Sequence, residues 1–271
     1  MKCIASDLDG TLLLEDNTMS MKTREMLKEL EEKQILFLVC TGRSYMDFRS
    51  AFPTDIKVPA ILLNGALYVD ALGNEILSYP MQDEYIKNIE ETIVNHHLPC
   101  LYFTSRGIYG SGELQGMMDC VKAYYHPDYQ GEYFMEPVHI VDSYTQIHEP
   151  ILKMETMCVN LAFIRQAKDE LHMFEHLQVS SSLPYNIEIT AKGVNKASML
   201  QRVLSYQHLA EEDLLYFGDS NNDLEVFQQF PYTIAVHNAC DEIKKEAYEI
   251  CGNCEDDGVA QYIKEKVSQM A

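Results

Sequence analysis

The two ends of this chain alternate between strand-like and helix-like segments, and no other feature constrains its fold as strongly. Before residue 81 the predicted strands and helices, in order, are Lys2–Ser6, Ser20–Glu32, Gln34–Cys40, Tyr45–Phe52 and Ala60–Leu63, the last ending at the turn Asn64-Gly65. After Thr190 the same alternation predicts helix Lys196–Tyr206, strand Leu214–Phe217, helix Asn222–Phe230, strand Thr233–Val236 and helix Asp241–Ala247. Apolar strands that alternate with helices predict a parallel sheet covered by helices on both faces.

The middle of the chain differs in composition, which predicts a second domain inserted into the first. Aromatic, histidine and proline residues become frequent there, and the apolar segments are short. The elements predicted in this part are the strands Cys100–Thr104, Met157–Ile164 and Tyr185–Ile189 and the helix Gln166–Leu177. We therefore predict an α/β domain formed by residues 1–81 and 189–271, interrupted by an α+β domain formed by residues 82–188.

The composition limits the partners that the protein can have. Its 271 residues include 42 acidic and 21 basic side chains, a formal net charge of −21. Such a surface disfavours nucleic acid and anionic membranes, but it permits a small phosphorylated metabolite where a cation inverts the local field. No apolar segment is long enough to span a bilayer, and the N-terminus lacks the pattern of a secretory signal. With eight cysteines expected to be reduced, we predict a cytoplasmic protein, whereas its oligomeric state has no signal in the sequence.

Polar clusters follow three of the predicted strands. They are Asp7-Leu8-Asp9, Thr41-Gly42-Arg43, and Gly218-Asp219 with Asn222-Asp223. Because ligands of open parallel sheets bind beyond the carboxyl ends of the strands, we expect these clusters to meet in one crevice. Each cluster alone is also typical of a turn, and the Asp-Gly pair by itself is a weak signal.

The aspartates of the first and third clusters predict a site for a hard cation. Neither cluster has the glycine and glutamate spacing of an EF-hand loop, since Leu12 and Thr18, or Leu224 and Phe230, stand at those positions. Clustered carboxylates repel one another unless a cation neutralises them, and Mg²⁺ accepts carboxylate oxygens in octahedral geometry. The sequence therefore favours Mg²⁺ over Ca²⁺.

These motifs together resemble a known family. The segments "DLDGTLL", "CTGRS", "GVNKASML" and "GDSNNDLEVF" are similar, in this order, to the motifs of the haloacid dehalogenase (HAD) superfamily. The large insertion and the segments "ILLNGALYVD" and "YTIAVHNACDEIKKEAYEI" resemble its Cof-type sugar-phosphatase-like branch. The resemblance covers most of the chain except the middle of the insertion. It implies a Rossmann-like HAD core formed by residues 1–81 and 189–271 and an α+β cap of the C2 type formed by residues 82–188.

The resemblance implies roles for the aspartates. Asp7 would be the nucleophile that forms an aspartyl-phosphate, and Asp9 would protonate the leaving alcohol and later deprotonate the hydrolytic water. Mg²⁺ would be held by the side chains of Asp7 and Asp219 and by the backbone carbonyl of Asp9, with Asp223 as a supporting carboxylate.

The same resemblance implies a set of groups that bind the phosphate. They are the backbone N–H of Leu8, Thr41, the backbone N–H of Gly42, Lys196 and Asn222. The family pattern favours Lys196, although Lys192 lies in the same loop and competes for the role. Arg43 is expected either to support the site or to pair with an acidic group.

The function implied is a Mg²⁺-dependent phosphatase of small phosphorylated metabolites such as sugar phosphates, with a mobile cap that selects the leaving group. Two alternatives stay open, a phosphomutase and a sensor that binds phosphometabolites without turnover. The pair Cys251 and Cys254, with His237 and Cys240, could also form a zinc or redox site. No second CxxC motif supports that interpretation, which leaves inert thiols as the simpler one.

Overall fold

The structure is a computed structural model that describes residues 2–124 and 137–268. It contains two compact units. The larger unit comprises Met1–Arg43, Phe48–Ile76 and Asn195–Ala271, and the smaller comprises Ser44–Asp47 and Leu77–Val194. The boundaries predicted after residues 81 and 188 fall a few residues inside the smaller unit. The catalytic role of the larger unit and the cap role of the smaller one stay predictions.

An eight-stranded sheet forms the centre of the larger unit. Its strands are β1 Cys3–Ser6, β2 Leu36–Cys40, β3 Ala60–Leu62, β4 Leu67–Val69, β5 Glu75–Ser78, β12 Leu214–Gly218, β13 Thr233–Ala235 and β14 Glu249–Ile250. They lie in the order β14-β13-β12-β1-β2-β3-β4-β5. The strands from β14 to β3 pair in parallel, and β4 returns antiparallel to β3. The α/β fold predicted from the alternating pattern is confirmed.

The chain reverses its direction of travel across this sheet at β1. From β1 it moves outward through β2 and β3, and it later returns on the other side of β1 to build β12, β13 and β14. A crevice opens at such a switch point because the connections on the two sides leave in opposite directions. The segments that follow β1, β2 and β12 are those in which the polar clusters were recognised.

Six helices belong to the same alternating segments. They are α1 Met21–Glu32, α2 Tyr45–Ala51, α6 Lys196–Tyr206, α7 Leu224–Gln229, α8 Asp241–Glu246 and α9 Gly258–Ser268. Ser20 caps α1, since its hydroxyl accepts a hydrogen bond from the backbone N–H of Thr23. The buried face of α1 is formed by Met26, Leu27 and Leu30, as helical spacing requires.

The smaller unit combines a mostly antiparallel sheet with helices. Its strands are β6 Cys100–Phe103, β7 Ile108–Ser111, β8 Val138–Ile140, β9 Lys153–Met157, β10 Leu177–Ser180 and β11 Asn186–Ala191, and its helices are α3 Asp83–Asn95, α4 Gln115–Tyr124 and α5 Leu161–Leu171. The strand order is β10-β11-β9-β6-β7-β8. Apolar residues of α3, α5 and one sheet face form a common core, which includes Ile89, Ile93, Met154, Leu171 and Ile187.

Two elements predicted for this unit are wrong. The segment 157–164, predicted as a strand, contains the end of β9 and the start of α5. The segment 166–177, predicted as one helix, contains the end of α5 and the first residue of β10. Asn160 sets the boundary, because its side chain accepts a hydrogen bond from the N–H of Ala162 at 3.1 Å and so caps α5. The strand predicted at 185–189 is shifted by one residue at its start and two at its end.

Strand β9 carries charged residues that are fully buried, which explains why it was missed. The ammonium of Lys153 lies 2.9 Å from a carboxylate oxygen of Glu155 and 2.7 Å from one of Glu188. Glu155 and Glu188 stand opposite each other in the pairing of β9 with β11. Buried charges are tolerated only when they are paired in this way, and one of the two partners of Lys153, Glu188, comes from a distant part of the chain.

Candidate active site

Asp7 lies at the carboxyl end of the central strand β1. Its backbone N–H donates to the carbonyl of Phe217 at 2.9 Å, so the residue is held between β1 and the end of β12. Its side chain is buried, with only 4% of the residue exposed. Burial raises the pKa of Asp7, and the ammonium of Lys196, 2.8 Å from its Oδ1, opposes that rise. The charged group that contacts the buried carboxyl of Asp7 is therefore the ammonium of Lys196.

The irregular turn Leu8–Leu12 places Asp7 beside the loop that follows β12. Gly10 has a φ of +69°, and a β-carbon on it would lie 2.8 Å from Asp219 Oδ2, so only glycine fits there. The hydroxyl of Thr11 donates to Asp219 Oδ1 at 3.0 Å, and Asn238 Nδ2 donates to the carbonyl of Gly10 at 2.6 Å. Leu8, which follows Asp7 in this turn, is fully buried.

Lys196 is the cation of this site, and it is fully buried at the start of α6. Its Nζ lies 2.8 Å from Asp7 Oδ1 and 2.7 Å from Asp223 Oδ1. Burial lowers the pKa of Lys196, but the carboxylates of Asp223 and Asp7 outweigh that effect and raise it above its ordinary value. Lys192, in contrast, is exposed. Of the two lysines, Lys196 is the one found in contact with Asp7.

Asp223 accepts hydrogen bonds from several groups of the site. Besides Lys196, its Oδ1 accepts from the hydroxyl of Tyr216 at 2.6 Å, and its Oδ2 accepts from the backbone N–H groups of Asp219 at 3.0 Å and Ser220 at 3.2 Å. The residue is fully buried, so these four donors replace the hydrogen bonds that water would otherwise provide to its carboxyl group. Asp223 thereby fixes both Lys196 and the loop that carries Asp219.

The carboxylates of Asp7, Asp219 and Asp223 form the one cluster suited to a metal among residues 2–124 and 137–268. One oxygen from each lies within 4.8 Å of the others. Burial, and after it the charge of Asp223, raise the pKa of Asp219 to about 7. Such mutual repulsion is what a bound cation relieves, and a donor set made only of oxygen suits Mg²⁺. The residues therefore fit the predicted ion.

Thr41 and Arg43 follow the carboxyl end of β2, the strand next to β1. Thr41 is buried, with its N–H donating to the carbonyl of Ile61 at 2.8 Å, and Gly42 is half-buried beside it. The guanidinium of Arg43 forms a two-pronged ion pair with Asp9: Nε donates to Oδ2 at 2.9 Å, and Nη2 donates to Oδ1. Arg43 thus pairs with an acidic group, as one of its two expectations has it, and its partner is the predicted site residue Asp9.

Asn222 is joined to a residue that was not among the predicted site residues. The hydroxyl of Ser220 donates to Asn222 Oδ1 at 2.8 Å, and Asn222 Nδ2 donates to Asn64 Oδ1 at 3.3 Å. Asn64 follows β3 in the segment Leu63–Gly65. Its signal in the sequence was the Asn-Gly pair at a strand end, which was interpreted only as a turn.

The cysteines do not form a second metal site within the part of the chain that the structure describes. All eight are free, and Cys251 and Cys254 are buried. Burial raises the pKa of the Cys251 thiol to about 12, which keeps it protonated and unreactive. The only candidate cluster found among the described residues is that of the three aspartates, so the zinc interpretation involving His237 and Cys240 gains no support.

Comparison with known proteins places these features in one family. A family model described as haloacid dehalogenase-like hydrolase matches residues 4–263. Two 5-amino-6-(5-phospho-D-ribitylamino)uracil phosphatases of Bacillus subtilis (strain 168) are similar to the chain: one is 28% identical and covers 99% of both chains, and the other is 27% identical over 97% of this chain and 95% of its own. A solved haloacid dehalogenase-like hydrolase from B. subtilis superimposes with a TM-score of 0.88 at 23% identity, covering 97% of this chain and 99% of its own.

Among the helices that the structure describes, none combines the length and the apolar character needed to cross a membrane.

Proposed function

The chain belongs to the haloacid dehalogenase-like hydrolase family, and on that premise we propose that it is a phosphatase that releases inorganic phosphate from small phosphorylated metabolites. The match over residues 4–263 confirms the resemblance drawn from the motifs that begin with Asp7. One observation carries the proposal: the buried carboxylate of Asp7 lies 2.8 Å from the ammonium of Lys196, at the switch point of a parallel sheet.

The proposed reaction has two displacements at phosphorus. In the first, a carboxylate oxygen of Asp7 bonds to phosphorus as the bond to the leaving alcohol breaks, and Asp9 gives that alcohol its proton. In the second, Asp9 takes a proton from water, the water oxygen bonds to phosphorus, and the bond to Asp7 breaks. The aspartyl-phosphate is consumed, and both aspartates return to their starting forms.

The remaining groups of the site would position the phosphate and neutralise its charge. We assign Lys196 to the phosphoryl oxygens, together with Thr41, the amide of Asn222 and the backbone N–H groups of Leu8 and Gly42. Phosphoryl transfer depends mainly on positioning and charge, so this small set is chemically sufficient. Asp223 would act through Lys196 and the Asp219 loop, both of which it contacts.

The residues that would hold Mg²⁺ are the side chains of Asp7 and Asp219 and the backbone carbonyl of Asp9. When bound, the ion supplies positive charge that offsets the phosphoryl oxygens and the clustered carboxylates. Gly10 allows Asp219 to approach the first turn this closely, since any β-carbon would meet its carboxylate.

Mg²⁺ is expected to stabilise the protein more at about pH 8 than at about pH 6. The pKa of Asp219, raised to about 7, lies above its value in the unfolded chain, so the metal-free protein loses stability as pH rises through that value. At the lower pH, Mg²⁺ must also displace a proton from Asp219. The measurement is the shift in Tm on adding Mg²⁺ to chelator-treated protein at both pH values.

A control variant tests the assignment of this effect. Asp219→Asn keeps the shape of the side chain and should remove most of the Mg²⁺-dependent shift, whereas Asp55→Asn, an exposed carboxylate 53% accessible, should leave it unchanged. A shift of equal size at both pH values in the unaltered protein would contradict the prediction.

Arg43→Ala is expected to slow the hydrolysis of substrates with poor leaving groups. Arg43 orients Asp9 through two hydrogen bonds, and Asp9 is the proposed proton donor to the leaving alcohol. We expect kcat to fall about tenfold for an alkyl phosphate and much less for an aryl phosphate, whose leaving group needs little protonation. The measurement is kcat and KM for both substrates, with Arg24→Ala as a surface control. Equal losses on both substrates would contradict a role through Asp9.

The similar phosphatases support a proposal for the substrate class, and the cysteines support one for the cellular location. The two relatives named as phosphatases of a phosphorylated ribitylamino compound favour phosphorylated sugars and polyols as substrates. We propose that the smaller unit acts as a mobile cap that selects among them. Eight free cysteines support a reducing compartment, and cytoplasmic location is part of the proposal.

The proposal is tested with purified protein, Mg²⁺ and a panel of phosphorylated metabolites, with released phosphate as the readout. Sugar phosphates, polyol phosphates and 5-amino-6-(5-phospho-D-ribitylamino)uracil should release phosphate. Isomerisation of a hexose phosphate without release would favour the phosphomutase alternative, and binding without turnover would favour the sensor. Either outcome would replace the phosphatase proposal.

A further inference from the structure

Asn64 is a buried residue that follows the carboxyl end of β3, and the other polar clusters follow the carboxyl ends of β1, β2 and β12. Only 4% of the residue is exposed. It follows β3, the neighbour of β2, and its backbone N–H donates to the carbonyl of Thr41 at 3.2 Å. The residue therefore continues the row of polar strand ends formed by Asp219, Asp7 and Thr41.

The orientation of the Asn64 amide is set by a chain of hydrogen bonds. Ser220 donates its hydroxyl hydrogen to Asn222 Oδ1 at 2.8 Å, and Asn222 Nδ2 donates to Asn64 Oδ1 at 3.3 Å. Because the oxygen of Asn64 faces Asn222, its Nδ2 faces elsewhere. That nitrogen is buried and has no hydrogen-bond partner among the residues that the structure describes. A buried donor without a partner costs free energy, which a ligand that accepts from it recovers.

The backbone holds Asn64 rigidly in this position. The residue adopts the left-handed conformation with φ of +54°, which asparagine tolerates better than most residues. The next residue, Gly65, packs so closely on the start of α6 that a β-carbon would lie 2.2 Å from the carbonyl oxygen of Asn195. The turn is thus pressed against the residue that precedes Lys196. A rigid donor beside Thr41, Asn222 and Lys196 is preorganised for an anion.

We propose that Asn64 Nδ2 donates a hydrogen bond to an oxygen of the bound phosphate, so that Asn64 and Asn222 form a pair of amide donors. This inference rests on the proposed phosphatase function and adds one residue to its binding site. The ligand chemistry is a phosphate oxyanion, because Asn64 is linked directly to two residues already assigned to the phosphoryl group. A neutral donor suits this position, since Lys196 already supplies charge.

Two substitutions separate donation to phosphate from support of Asn222. Asn64→Asp keeps the oxygen that accepts from Asn222 and replaces the donor with a second carboxylate oxygen. Asn64→Gly removes the whole side chain without strain, because glycine readily adopts a positive φ. His208→Gly is the matched control, since His208 is exposed and also has a positive φ, of +56°.

The test is calorimetric binding of inorganic phosphate, with Mg²⁺ present, to the full chain and to each variant. We expect Asn64→Gly to bind phosphate about tenfold more weakly, the effect of one hydrogen bond to a charged group, and Asn64→Asp more weakly still, because a carboxylate repels the anion. His208→Gly should bind as the unaltered protein does. The Tm of each variant shows whether it is folded, and Asn64→Asp remains informative if the glycine variant is unstable.

Phosphate binding unchanged in Asn64→Asp would overturn the inference, since the oxygen that supports Asn222 is retained while the donor is lost. In that case the unpartnered nitrogen binds water only. The proposed function is judged separately, from the unaltered protein: if that protein neither binds phosphate nor releases it from any substrate, the function fails. If it does both while Asn64 proves irrelevant, only this inference fails.

Discussion

Asp7→Asn is expected to abolish phosphate release, with kcat lower by at least about a thousandfold, and to leave the protein folded. The amide has the shape of the carboxylate but cannot attack phosphorus. Stability should be kept or increased, because the change removes one charge from a buried cluster in which Asp219 and Asp223 are close neighbours. Lys196 keeps Asp223 as its partner at 2.7 Å.

The measurement pairs steady-state phosphate release with thermal unfolding. Asp55→Asn serves as the control, since it removes an exposed carboxylate that pairs with Arg24 and Lys28. Trapping the phosphorylated protein from the unaltered chain, and its absence in Asp7→Asn, would identify the nucleophile directly. Substantial turnover by Asp7→Asn would refute the covalent mechanism while leaving phosphate release itself intact.

Lys196→Met should lower the free energy of unfolding by about 3–5 kcal/mol and also abolish activity. The methionine fills a similar volume, but it leaves the carboxylates of Asp7 and Asp223 buried without their common cation. Removing one partner of a buried network costs far more than the pair contributed, because the remaining charges stay desolvated.

Lys192→Met is the matched control, because it makes the same chemical change four residues earlier at an exposed position. Its free energy of unfolding should change by less than about 0.5 kcal/mol. Denaturant unfolding of both variants at pH 7 gives the comparison, and phosphate release assigns the functional lysine. If Lys192→Met were the inactive variant of the two, the assignment of Lys196 to the phosphate would be wrong.

The fold of the larger unit could be predicted because its strands are buried on both faces. Segments such as Gln34–Cys40 are almost continuously apolar, and they alternate with helices whose apolar spacing is clear. In the smaller unit, β9 contains Lys153 and Glu155, whose charges argue against a buried strand until Lys153 is also paired with Glu188 of β11. A local pattern cannot reveal that compensation, because the partner is distant along the chain.

The site was predictable where a residue type and its neighbours are diagnostic. Asp7, Asp9 and Asp219 follow apolar strands in motifs that resemble one family. The structure brings Asp7 and Asp219 together beyond the carboxyl ends of β1 and β12. Asn64 was overlooked because an Asn-Gly pair after a strand is sufficiently explained as a turn. The role that we propose for it rests on the pairing of β3 with β2 and on the contact with Asn222, which only the structure contains.

The sequence by itself determined the parallel sheet, the inserted segment and the residue types available for chemistry, since these follow from periodicity and from short motifs. The tertiary structure decided how those residues are buried, paired and oriented. Asp223 is held by four donors, Lys196 is fully buried between two carboxylates, and Asp9 is paired with Arg43. Burial and pairing of this kind depend on contacts between segments that are as far apart in the chain as Asp7 and Lys196. A local sequence pattern shows neither the burial nor the contacts.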